Sequence, residues 1–241
     1  KEPHVVYALE PGEYVLHEEQ APTEQGYVRA EDVKFVVEET GDIQKVKMED
    51  DHTKVSISKT DITDGKEIEG AKLQILDQDG EVVESWTTGE EHLIEYLPIG
   101  TYTLHEEAAV DGYIVANDVE FTVEETGEIQ KVKMEDERAM GQLVIVKTDA
   151  DSKAALEGVE FVLLEKETGK EVGRLKTGKD GKAVSELLPI GTYENGVFKE
   201  PITYVLKETA TLKGYEKTEE EWEIVFTYQN EDTHREPTGR Y

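Results

Sequence analysis

The chain has 241 residues, 26 Lys plus Arg against 56 Asp plus Glu, a formal net charge of −30 and no cysteine. Phosphate recognition needs clustered Lys and Arg, so this balance excludes nucleic-acid binding and attachment to an anionic membrane surface. The missing Cys excludes disulfides, thiolate zinc sites and thiol nucleophiles together. With 37% hydrophobic residues and 11 Tyr the chain has material for small cores. It lacks the roughly 18-residue apolar run that a membrane-spanning helix needs, and no charged-then-apolar leader opens it.

Taken in order, residues 1–52 hold LHEE at 16–19, a Gly26-Tyr27 pair and VEETGDIQKVKMED at 37–50. Residues 53–138 begin with KVSISK at 54–59 and AKLQIL at 71–76, then repeat LHEE at 104–107, Gly112-Tyr113 and VEETGEIQKVKMED at 123–136 with one Asp-to-Glu change. Residues 139–241 form a more divergent third copy: KTD recurs at 147–149 and LPIGTY, first seen at 97–102, recurs at 188–193. Self-similarity of this kind marks a tandem array, with boundaries near His52 and Arg138. Aligned on the second copy, Lys1 falls opposite Gly89, so the first unit carries only the back half of a repeat. Either the front half lies upstream, or it is supplied by another chain.

The short runs alternate apolar and polar residues and are separated by DG, TG and GE turns. This period of two, with a turn signal about every ten residues, predicts an all-β chain of small antiparallel sandwiches, one per repeat. No sustained helical period is present.

Strand parity isolates the unusual residues. In KVSISK, Val55, Ile57 and Lys59 share a face; in YTLHE, Tyr102, Leu104 and Glu106 do; in VKMED, Val132, Met134 and Asp136 do. Each apolar face therefore ends in an ionisable group pointing toward the core. The third copy repeats the pattern with Leu143, Ile145 and Lys147, then Tyr204, Leu206 and Glu208, then Phe226, Tyr228 and Asn230. A β-bulge on the last strand would shift Asp136 to its neighbour Glu137, and Asp50 to Asp51.

The motifs SKTD and VKTD on a first strand, GTYTLHEEAAVDGY and ITYVLKETATLKGY in the middle, and VKMED and FTYQNED on the last resemble the CnaB-type, SpaA-like domains of Gram-positive surface adhesins and pilins. The second unit is also similar in layout to engineered split tag-and-catcher domains. The resemblance implies a prealbumin-like sandwich with a self-formed isopeptide bond. Carried over by residue, Lys59 joins Asp136 with Glu106 as proton shuttle, and Lys147 joins Asn230 with Glu208. Glu18 and Asp50 form a half-site whose lysine is missing.

The chemistry agrees with this. Desolvation favours a neutral amine and a neutral acid, a protonated glutamate can stabilise the developing oxyanion and move protons, and adjacent strands supply proximity. An ordinary buried salt bridge, or a lysine that snorkels to the rim, is the competing explanation for any single inward lysine.

The acidic turns DITDG at 61–65 and DADS at 149–152 do not fit an EF-hand and are expected to be plain turns. His17 and His105 point away from the core and are expected to be solvated, with no metal site. Gly26-Tyr27 and Gly112-Tyr113 read as a turn followed by a core tyrosine. The expected role is a structural stalk or shaft of a bacterial surface adhesin or pilus-like protein, not an enzyme and without a cofactor. Its partners would be neighbouring repeats of the same chain. The competing role is an adhesin module binding a host extracellular-matrix or surface protein through an insertion at 194–201, within YENGVFKEPITY.

Overall fold

The computed structural model describes residues 3–228. Strands dominate, and the one helical segment among the described residues is a single 3-10 turn at Thr23–Gln25. Among the described residues no helix is long and apolar enough to cross a membrane.

The first unit contributes β1 (Gly12–Leu16), β2 (Tyr27–Val28), β3 (Val33–Val37) and β4 (Asp51–His52). The second is β5 (Lys54–Asp61), β6 (Lys72–Leu76), β7 (Val82–Thr87), β8 (His92–Glu95), β9 (Gly100–Ala108), β10 (Val119–Val123) and β11 (Ile129–Asp136). The third runs from β12 (Met140–Gly141), β13 (Val144–Val146), β14 (Glu160–Glu165), β15 (Glu171–Lys176) and β16 (Lys182–Val184) onward. It continues through β17 (Leu188–Pro189), β18 (Gly191–Glu194), β19 (Val197–Pro201), β20 (Thr203–Ala210) and β21 (Glu221–Val225).

The second unit is a two-sheet sandwich, β10-β9-β6-β7 facing β11-β5-β8. Alternating apolar residues on both inner faces, among them Val55, Ile57, Leu73, Ile75, Leu104, Val123 and Met134, fill the space between the sheets. One pairing departs from the antiparallel pattern: β5 and β11 run parallel, with Met134 opposite Lys59 and Asp136 opposite Asp61. Alternation reports which face a side chain takes and is blind to strand direction. Parallel neighbours cannot be joined by a tight hairpin, and here the rest of the unit forms the connection. The third unit repeats the four-stranded sheet as β15-β14-β20-β21 and inserts the β18-β19 hairpin before β20.

The first unit shows what half of this architecture does. β1 pairs β3 and places Tyr14 against Phe35, ring centroids 5.8 Å apart. Leu16 is nevertheless 38% exposed, whereas its counterpart Leu104, in the same LHEE motif, is 0% exposed. Residues 42–50, nearly identical in sequence to the stretch that forms β11, make no strand. The ladder of β11 is built on β5, and no strand of that kind faces residues 42–50 among the described residues.

Candidate crosslinking site

Three elements of the second unit converge on one point in its core. Lys59 sits near the end of β5, Glu106 near the end of β9 and Asp136 at the end of β11. In a parallel pair, side chains two residues apart share a face, so the register that sets Met134 opposite Lys59 carries Asp136 forward onto the lysine. Lys59 Nζ lies 2.9 Å from Glu106 Oε2 and in close hydrogen-bonding contact with Asp136 Oδ1. All three side chains are fully buried.

The glutamate has a second anchor. The Ala116 amide donates to Glu106 Oε2 at 2.6 Å. Glu106 Oε1 and Asp136 Oδ2 are buried without a hydrogen-bond partner. Burial pushes the Asp136 carboxyl up to about 7, the nearby Glu106 adds to the rise, and Lys59 opposes both. An unsatisfied buried carboxylate oxygen is costly as an anion, which favours the neutral acid form of Asp136.

In the third unit Lys147 Nζ lies 2.9 Å from Glu208 Oε2. Glu208 is fully buried there, but the lysine side chain keeps 26% of its surface exposed. Asn230, the acceptor expected from the sequence, lies outside the described residues. In the first unit Glu18 Oε2 accepts a hydrogen bond from the Ala30 amide at 2.9 Å, the same arrangement as Glu106 with Ala116. Glu18 makes no ion pair with a lysine among the described residues, and Asp50 lies on the exposed strandless stretch.

His17 pairs with Asp32 at 2.6 Å and His105 with Asp118 at 2.7 Å, both on the surface. Among the described residues no group of three or more His, Cys, Asp or Glu is arranged to hold a metal ion. Asp149 behaves as a turn residue, accepting from the Ser152 amide and hydroxyl at 2.7 Å.

Asp61 is a different case. It is fully buried and accepts from Tyr113 Oη at 2.8 Å and Arg138 Nε at 2.7 Å. Burial works to raise its pKa, but the Thr63 amide, the Tyr113 hydroxyl and the Arg138 guanidinium outweigh it and hold the carboxyl below its ordinary range. The sequence does carry one signal for this role: Asp61 continues the inward parity of Lys59.

The sandwich, with its parallel first and last strands and its inward lysine and two carboxyls, defines a tandem prealbumin-like protein. The sequence matches the family of SpaA prealbumin-like fold domains over residues 53–138 and 141–200, and the chain belongs to that family. Among solved structures it resembles the Bacillus anthracis TIE protein at 31% identity and a TM-score of 0.57, over 92% of this chain and 40% of that one. The chain thus spans well under half of that relative's length. A streptococcal ancillary pilin matches at 20% identity and a TM-score of 0.35, over 93% of this chain and 73% of the pilin. The shaft pilin SpaA of Lactobacillus rhamnosus GG matches at 17% identity and a TM-score of 0.33, over 74% of this chain and 95% of that one. No curated protein matches the sequence.

Proposed function

We propose that this chain is a load-bearing segment of a Gram-positive cell-surface protein, an adhesin stalk or pilus-like shaft, whose units at 53–138 and 139–241 are locked by self-formed isopeptide bonds. One observation carries this reading: Lys59, Glu106 and Asp136 meet in a fully buried core, the amine hydrogen-bonded to Asp136 and 2.9 Å from a Glu106 carboxyl oxygen.

The reaction follows from that arrangement. The neutral Lys59 amine attacks Asp136 Cγ, and Glu106, holding a proton, donates a hydrogen bond to the carbonyl oxygen as charge develops on it. Glu106 then takes a proton from the new ammonium and passes one to the departing hydroxyl, which leaves as water. An amide replaces one C–O bond, and no redox change occurs. The same scheme at Lys147 and Asn230, with Glu208 as shuttle, releases ammonia.

Such a bond joins the first and last strands of a unit, so tension applied at the two termini passes through a covalent link rather than through the strand ladder. Single-molecule pulling of the full chain tests this. With the bond formed, the second unit gives no unfolding extension, whereas Glu106→Gln restores an extension of one whole unit. An extension of that size in the unsubstituted chain contradicts the load-bearing role.

A further inference from the structure

The contacts between units repeat as closely as the units do. At the first boundary Gly26 takes a left-handed conformation (φ 74°), and a Cβ there would collide with the backbone of Tyr96, only 2.3 Å away. Tyr27 meets the Tyr96 ring edge-on at 5.4 Å, and His52 stacks on the same ring at 4.0 Å. The Thr53 amide donates to the Gly26 carbonyl at 2.9 Å.

The shift that carries Val37 onto Val123 carries His52 onto Arg138 and Thr53 onto Ala139. At the second boundary Gly112 is again left-handed (φ 84°), and its Cβ would meet Phe198 at 2.3 Å. Tyr113 meets the Tyr193 ring edge-on at 5.3 Å, Arg138 lies over that ring at 4.3 Å, and the Ala139 amide donates to the Gly112 carbonyl at 2.7 Å. The ring-bearing partner is Tyr96 just before the LPIG segment in one case and Tyr193 just after it in the other.

The second boundary carries more. Tyr193 Oη donates to the Gly112 carbonyl at 2.5 Å, Tyr113 Oη lies 3.1 Å from the Gly196 carbonyl, and Phe198 packs edge-on against Tyr193. Gly196 sits so close that a Cβ would lie 2.3 Å from the Glu67 carbonyl oxygen. Tyr193, Gly196 and Phe198 all belong to the β18-β19 hairpin or its turn, and the latter two lie within the insertion that distinguishes the third unit. The third unit has the same corner at Gly214-Tyr215, with Gly214 again left-handed (φ 94°). Nothing lies within 4 Å of a Cβ built there among the described residues, and Tyr215 is 42% exposed where Tyr113 is 1%.

We propose that the Gly-Tyr corner is the acceptor half of a repeating inter-unit joint. Its donor half is an aromatic ring from the LPIG region of the next unit, and a cationic or imidazole side chain from the linker stacks on that ring. On this account the third-unit insertion is a clasp that fixes the angle between the second and third units. Its aromatic face is occupied by the second unit, which leaves it unavailable for a receptor. Contact through a few small interfaces otherwise leaves neighbouring domains free to move. The hairpin ties the two bodies at three places, Tyr193, Gly196 and Phe198, through ring contact and hydrogen bonds.

The absence of Cys makes the test direct, because two engineered cysteines label uniquely. Asp79→Cys and Lys170→Cys place spin labels on exposed turns of the second and third units, and pulsed electron paramagnetic resonance on the full chain reads their distance distribution. The expected distribution is narrow, and Tyr193→Ala with Phe198→Ala broadens it by about two-fold or more, as expected for domains joined only by a linker. Tyr193→Phe keeps the ring and is expected to stay narrow, which separates joint loss from misfolding. A broad distribution in the unsubstituted chain, or one unchanged by the double substitution, overturns the proposal. The Lys59–Asp136 crosslink, read by mass, is independent of either result.

Discussion

The second and third units place the same lysine–glutamate pair in different surroundings. Lys59 is wholly enclosed and touches two carboxyl groups, whereas among the described residues Lys147 touches one and keeps a quarter of its surface in water. The first unit adds a third state, a glutamate on its main-chain anchor with no lysine paired to it among the described residues. The glutamate is therefore positioned by the back half of a unit alone, through its strand and the loop amide that follows. The lysine and the parallel pairing of first and last strands are what turn that position into a reaction site.

The largest expected effect tests the enclosure. Lys59→Ala leaves two buried carboxyls without their cation, and breaking a buried pair of this kind costs about 3–5 kcal/mol. Lys147→Ala removes a contact whose lysine is already partly solvated although Glu208 is buried, so its loss is expected to cost less. Both costs refer to the uncrosslinked side chains; where the amide has formed, the loss of that covalent link takes their place. Denaturant unfolding of the two variants should rank them in that order, and equal losses would break the contrast between the units.

Next in size is the rate of bond formation. Glu106→Gln retains the shape of the site but cannot shuttle a proton, and removing a general acid–base group slows a reaction by about 10²–10⁴-fold. Freshly refolded Glu106→Gln should keep its full sequence mass over hours while the unsubstituted chain reacts. Equal rates would remove the glutamate from the mechanism.

A third test uses pH. The Asp136 carboxyl is raised by burial in the folded state, so between its ordinary range and about 7 the native form binds a proton that the unfolded form has released. Stability then falls as pH rises through this window. In the uncrosslinked Glu106→Gln chain the second unit should melt higher at pH 5 than at pH 8, and Asp136→Asn should flatten that slope. A slope that survives the substitution belongs to another group. The smallest effect is expected at the boundaries, where Gly112→Ala should unsettle the joint and Gly214→Ala, at an open corner, should cost only the local backbone strain.

Much of this was legible in the sequence because strand parity is a strong signal where one face is buried. Lys59, Glu106 and Asp136 each follow apolar residues at every second position, and the structure brings those three side chains together. Strand direction was not legible, so the parallel β5-β11 pair appears only in the fold. The tyrosines were half legible. Tyr113 is buried as expected of a residue after a turn, but against Tyr193 and Asp61 at a unit boundary rather than in its own sandwich core. Tyr27 likewise faces Tyr96 of the next unit. Periodicity is a local property, and contacts between units join residues that no local pattern connects. For the same reason Asp61, expected to be one acid in a solvated turn, emerges as the buried partner of Arg138.

The most direct measurement is the intact mass of the purified full chain, followed by peptide mapping after digestion. The account predicts a deficit of one water from Lys59 and Asp136 and one ammonia from Lys147 and Asn230, with the Lys59 and Asp136 peptides recovered as one branched species. A mass equal to that of the unmodified sequence, with the two peptides separate, would contradict it.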